Sequence, residues 1–95
     1  MKSINKQYSA IAVYSAELDN LVPQVAENQV FKDKEVALAF LRDSIARECE
    51  FGEENVLDEE LYAELNGQLT NTCSCVKDTG DGTKWHWLVT EVIVG

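Results

Sequence analysis

The first third of the chain shows a two-residue alternation that predicts a β-strand. Residues 7–15 (QYSAIAVYS) alternate between two sets of mainly apolar side chains, and β-branched and aromatic residues are frequent among them. The pattern loosens around Pro23, because proline fits neither a central strand nor the interior of a helix. We therefore expect a turn or a short helical piece here, followed by a short edge strand that ends at Phe31.

The middle of the chain changes to helical spacing. Asp33 is a suitable N-cap for a helix that begins at Lys34, and charged residues fall opposite the apolar positions. We expect this helix to stop near Gly52. Its apolar positions are Val36, Ala37, Phe40, Leu41, Ile45 and Cys49.

A second, shorter helix is predicted over residues 59–66, with Asp58 as its N-cap. Leu57 and Tyr62 stand at the two positions of a hydrophobic staple. Gly67 is the residue type that commonly ends a helix, so we expect the helix to end there.

The last third predicts a β-hairpin. Residues 72–76 and 85–94 are β-prone, and the connection between them contains two glycines. A two-residue turn at either 80–81 or 81–82 puts Cys75 on the same face as His86, with Trp85 and Trp87 on the other face. The second strand is apolar on both faces, which is typical of a central or covered strand.

These elements predict a single α+β domain over residues 1–95. Its small antiparallel sheet combines the N-terminal strand with the C-terminal β-hairpin, and two helices pack on one face of the sheet. The two tryptophans are expected to form part of the core, since aromatic rings on one face of a small sheet usually do so.

Charge adds one feature that the hydrophobic pattern does not show. Seventeen acidic residues against eight basic residues give a net charge of −9. Residues 1–42 are neutral and residues 65–95 carry −1, whereas residues 43–64 carry −8, from nine acidic residues against Arg47. We call residues 43–64 the acidic segment. The apolar positions within it indicate that it is ordered.

An acidic segment of this kind repels nucleic acids and membrane surfaces and attracts basic ones. One interpretation is a solvated face that keeps the protein soluble. The other is a binding face for a basic protein groove, in which carboxylates take the place of phosphates. The contacts in the second interpretation would come from Glu48, Glu50, Glu53, Glu54, Glu59, Glu60 and Glu64.

Catalytic chemistry is poorly supported by the sequence. Thiols and an imidazole suit zinc, but Cys73, Cys75 and His86 lack an evident fourth ligand, and buried structural thiols are the commoner role. No glycine loop opens a helix, as a phosphate site requires. Carboxylates on a wet, highly charged face ionise alike and make poor acid–base pairs. We therefore expect a non-enzymatic protein without a cofactor.

The first strand (AIAVYS), the helix entry (VFKDKEVALAFLRDSI) and the aromatic terminal hairpin (WHWLVTEV) resemble, in style, small acidic proteins of phages and other mobile elements. These include anti-CRISPR proteins and other inhibitors of host defence nucleases. The resemblance implies an inhibitor that occupies the basic nucleic-acid-binding groove of a target protein or complex. It covers most of the chain and contains no diagnostic motif.

Two alternatives remain open at this point. A domain of 95 residues is marginally stable alone, so the chain is also consistent with an assembly module that forms a homodimer or larger particle through its sheet. A small zinc-binding module is the third hypothesis.

No apolar run approaches the roughly 20 residues of a membrane span, and the start lacks a signal-peptide apolar region. A cytoplasmic location is expected, in the host if the gene belongs to a phage.

Overall fold

The computed structural model describes residues 5–16, 23–80 and 82–94. Within them it contains a four-stranded antiparallel sheet, a two-stranded hairpin and two α-helices, which confirms the predicted α+β fold. The elements in chain order are β1 (Asn5–Ala16), β2 (Gln24–Phe31), α1 (Lys34–Glu48), β3 (Glu50–Phe51), β4 (Val56–Leu57), α2 (Glu59–Thr72), β5 (Ser74–Asp78) and β6 (Thr83–Val94).

The sheet has the strand order β2-β1-β6-β5. The long strands β1 and β6 pair along their whole length and occupy its centre, as the two apolar faces of β6 predicted. β2 lies at one edge and ends at Phe31, so the predicted edge strand is confirmed, and a bulge interrupts its pairing between Ala12 and Val13. The turn expected between β1 and β2 falls largely on residues 17–22, outside the described residues.

The core lies between one face of the sheet and the two helices. Trp87 is fully buried, and its indole Nε1–H donates a hydrogen bond to Ser44 Oγ of α1 at 3.0 Å. Trp85 stacks on Trp87 and is half-buried, so both tryptophans belong to the core region as predicted. The remaining buried members include small residues of β1 and leucines of both helices: Ala10, Ala12, Leu38, Leu41, Leu65 and Leu69.

Both helices begin where the sequence predicted, but both end at residues other than the predicted ones. The carboxylates of Asp33 and Asp58 accept hydrogen bonds from Glu35 N and Leu61 N, which confirms the two N-caps. α1 ends at Glu48, before Gly52, because the chain turns there into the β3–β4 hairpin.

The prediction that α2 ends at Gly67 was wrong. The helix continues to Thr72, and Cys73 takes the left-handed conformation that ends it, with φ 58°. The physical reason is that Leu69, which lies beyond the glycine, is fully buried in the core. Its burial outweighs the roughly 1 kcal/mol that a glycine costs inside a helix.

The predicted register of the β5–β6 hairpin was also wrong. Cys75 pairs with Trp87, and Val76 pairs with His86. The connection is not a two-residue turn: Asp78 pairs with Lys84, and Thr79 N donates to Thr83 O, so the loop has an odd number of residues. A shift of one residue moves every β5 side chain to the opposite face. Cys75 therefore lies on the core face with Trp87.

No helix within the described residues is long and apolar enough to cross a membrane.

Candidate functional site

The acidic segment forms one continuous piece of ordered structure on the helix side of the sheet. It comprises the C-terminal part of α1, the β3–β4 hairpin and the first half of α2. Asp58 N donates a hydrogen bond to Cys49 O at 2.8 Å, which ties the start of α2 to the end of α1. Lys77 Nζ donates a hydrogen bond to Glu48 O, which ties the end of α1 to β5 as well. The expectation of order in this segment is confirmed.

The seven glutamates predicted to bind a partner are brought together by these elements. Glu48 ends α1 and is half-buried, whereas the other six are exposed. The salt bridges Lys6–Glu91 and Arg47–Glu27 do not involve any of the seven. The others are distributed over the hairpin and the first turns of α2: Glu50, Glu53, Glu54, Glu59, Glu60 and Glu64.

The tight turn of the hairpin explains how the acidic segment presents its charge. Gly52 and Asn55 both have positive φ, at 77° and 54°, and Asn55 N donates to Gly52 O. Glycine and asparagine tolerate this conformation better than other residues. Glu53 and Glu54 therefore stand at the tip of a defined turn.

An exposed apolar pair lies inside the acidic segment. Phe51 and Val56 face each other across the hairpin and are 59% and 47% exposed. Exposed apolar side chains inside a charged surface are candidates for contact with another protein. Sequence reasoning missed this pair, because strands of two residues are too short to show an alternation.

A second surface is the face of the sheet opposite the helices, which we call the open sheet face. It carries seven apolar side chains from all four strands, and the two helices pack on the other face. Among the described residues its acidic and basic side chains are Asp78 and Lys84, paired across the turn end of β5 and β6. The apolar members are Ile11, Val13, Val25, Val30, Val76, Leu88 and Val92.

Two pairs of polar side chains on the open sheet face form hydrogen bonds between neighbouring strands. Ser9 Oγ donates to Asn28 Oδ1 at 3.2 Å, between β1 and β2. Ser74 Oγ lies 2.8 Å from His86 Nε2, between β5 and β6. These groups therefore do not depend on water for all of their hydrogen bonds.

The structure separates the candidate metal ligands. Cys75 is buried on the core face, while His86 lies on the open sheet face beside Ser74. Within residues 5–16, 23–80 and 82–94, no group of three histidine, cysteine or acidic side chains is arranged to hold a metal ion. The zinc hypothesis required Cys75 and His86 to share one face of the hairpin. This prediction was wrong, because the hairpin register differs by one residue.

The three thiols differ in environment. Burial, together with the neighbouring thiol of Cys49, raises the pKa of Cys75 to about 12. Burial also raises the pKa of Cys49. Cys73 is half-buried and lines a cleft of about 200 Å³ with Tyr8, Lys34, Val89 and Glu91. This volume is below the range of about 300–1,000 Å³ that is usual for small-molecule sites.

The chain has no match among protein-family models, and neither the curated proteins nor the solved structures show significant similarity to it.

Proposed function

We propose that this protein is a non-catalytic binding protein whose acidic segment occupies the basic, nucleic-acid-binding groove of a target protein. The observation that carries the proposal is the exposed Phe51–Val56 pair within the acidic segment. Charged residues alone would keep the protein soluble, and an exposed phenylalanine among them works against solubility. Its contribution to a protein interface explains its exposure.

The arrangement of charge supports the same proposal. Exposed carboxylates are concentrated on the hairpin and the first turns of α2, and such a concentration of negative charge suits a groove lined by lysine and arginine. The hydrogen bond from Asp58 N to Cys49 O connects the hairpin to both helices, so little ordering is needed when a partner binds. Electrostatic attraction would set the rate and the specificity of binding, and Phe51 would supply apolar burial.

The resemblance to small acidic phage and mobile-element proteins supplies the target class within this proposal. Such a target is a host defence nuclease or another nucleic-acid-binding complex, which the protein would inhibit by competing with its nucleic acid. The inhibitor would then act in the cytoplasm of the host.

The test begins with capture of a partner from a lysate of the natural host at low salt, followed by elution with increasing salt. We expect a basic, nucleic-acid-binding protein to be retained. With that protein purified, the affinity should fall about tenfold or more between roughly 0.05 M and 0.5 M salt, because charges exposed to solvent are screened. Its nucleic acid should compete for the same site.

Two double variants with the same change in charge separate the acidic segment from the overall charge. E53Q/E54Q neutralises the hairpin tip, and E35Q/E91Q neutralises two exposed glutamates outside the segment. We expect the first to weaken binding about tenfold and the second to change it less than about twofold. Equal effects of the two variants, or an affinity that does not depend on salt, would refute the proposal.

A further inference from the structure

We propose that two copies of this chain pack their open sheet faces against each other and form a homodimer. The helices would lie on the outside and the two four-stranded sheets on the inside. The inference is independent of the partner proposed for the acidic segment, since that segment lies on the helix side of the sheet.

The apolar content of the open sheet face is the first argument. On the edge strands Val25 is 60% exposed, Val30 50% and Val76 46%, and on the central strand β6 Val92 is 37% exposed. Ile11, Val13 and Leu88 complete the patch at the centre of the sheet. The apolar residues therefore reach all four strands, and Ile11, Val13, Val25 and Leu88 are neighbours within and across β2, β1 and β6. Exposed apolar residues grouped in this way mark interaction surfaces.

The distribution of charge identifies the occupant as a second copy. Two molecules of net charge −9 repel each other wherever their charged surfaces meet. The open sheet face is the exception, because among the described residues its only charged pair is Asp78 with Lys84. Packing through this face places the two acidic segments in the two outer helix layers, about 30 Å apart across the two sheets, where the Debye length of about 8 Å screens them.

Two polar pairs on the face already have a hydrogen bond within one chain. The Ser9–Asn28 and Ser74–His86 bonds lower the cost of removing these side chains from water. In a two-fold symmetric interface the same surface of a second copy lies opposite, so the apolar residues of one copy can meet those of the other.

The area of the face is adequate for a stable dimer. Four strands about 4.8 Å apart and about eight residues long present roughly 500 Å² in projection, and side-chain relief adds to this. Specific interfaces at the lower end of the usual range bury about 600 Å² on each partner. We therefore expect a dimer with a dissociation constant in the micromolar range, on the order of 1–10 µM.

The test is the molar mass in solution by light scattering over a concentration series. We expect twice the 10.6 kDa chain mass at about 100 µM protein and dissociation below the micromolar range. Salt should strengthen the dimer, since it screens the repulsion between two chains of charge −9. This dependence has the opposite sign to that expected for a basic partner, so the two proposals can fail separately.

Two double variants with matched exposure locate the interface. V30K/V76K places lysines on the open sheet face, and V36K/V56K places them on α1 and β4, at valines that are 49% and 47% exposed. Both variants change the charge equally. We expect the first to weaken dimerisation at least about 100-fold and the second to leave it nearly unchanged, because like charges would face each other only in the first.

Circular dichroism checks that both variants fold. If V30K/V76K does not fold, isotope-filtered NMR on the wild-type dimer replaces it, with intermolecular contacts expected between the methyl groups of Ile11, Val13 and Leu88. A wild-type monomer at about 100 µM would overturn the proposal and leave the face to a different partner. Loss of the dimer in V36K/V56K, or its persistence in V30K/V76K, would overturn it as well.

Discussion

The hydrogen bond between Trp87 and Ser44 joins α1 to the centre of the sheet, and its removal should measurably weaken the fold. Both residues are buried, and Trp87 Nε1 has Ser44 Oγ as its acceptor at 3.0 Å. In Ser44→Ala the indole N–H remains buried without an acceptor, which costs about 1–3 kcal/mol. Alanine recovers about 0.5 kcal/mol through its higher helix propensity. We expect a net loss of about 1–2 kcal/mol.

The assay is urea unfolding followed by far-ultraviolet circular dichroism at one fixed protein concentration, because dimerisation makes the apparent stability depend on concentration. A loss of 1 kcal/mol corresponds to a fall in melting temperature of about 4–8 °C for a domain of this size. The same substitution is then measured in a Trp87→Phe background, where the side chain at position 87 has no N–H donor.

The double-mutant cycle decides whether the hydrogen bond is the cause. We expect Ser44→Ala to cost less in the Trp87→Phe background, with a coupling of about 1 kcal/mol. An equal cost in both backgrounds would show that Ser44 acts through helix propensity or packing alone. A loss below about 0.5 kcal/mol in the wild type would also refute the reasoning, since surface substitutions have effects of that size.

Two further predictions concern α2 and the buried thiols. Gly67 lies inside α2, and a Cβ built there meets no atom within 4 Å, so Gly67→Ala should stabilise the fold by about 0.5–1 kcal/mol in the same urea assay; a loss of stability would contradict this. Because the pKa of Cys75 is raised to about 12, the unfolded chain loses this thiol proton at a lower pH than the folded chain. Stability should be unaffected by this group below about pH 8 and should fall by about 1.4 kcal/mol per pH unit above about pH 9. Unfolding at pH 8 and pH 10 should show a smaller fall in Cys75→Ala than in the wild type, and equal falls would contradict the assignment.

The acidic segment could be described only from the sequence and the structure together. Its charge of −8 and its order could be read from the sequence, because acidic residues were interleaved with apolar residues at helical spacing. The exposed Phe51–Val56 pair could not be predicted from the sequence. Its hairpin has only two residues in each strand, which is too short for a recognisable alternation of apolar and polar residues. The hairpin is held by the hydrogen bond from Asp58 N to Cys49 O.

The sequence by itself determined the elements whose causes are local. The alternation over residues 7–15 predicted β1, and the carboxylates of Asp33 and Asp58 predicted both helix starts, because an N-cap bonds to backbone N–H groups two or three residues away. The apolar character of both faces of β6 predicted its central place in the sheet.

Only the tertiary structure decided the end of α2 and the register of the C-terminal hairpin. Gly67 is a local signal to stop, but the burial of Leu69 in a core built from distant strands extends the helix past it. Two glycines signal a turn without fixing its length, and Trp87 is held against Ser44 of α1, across 43 residues of chain. Trp87 and Cys75 are both buried in the core and pair with each other, so Cys75 lies on the core face and His86 on the open sheet face, because a register shift of one residue reverses the faces of a strand.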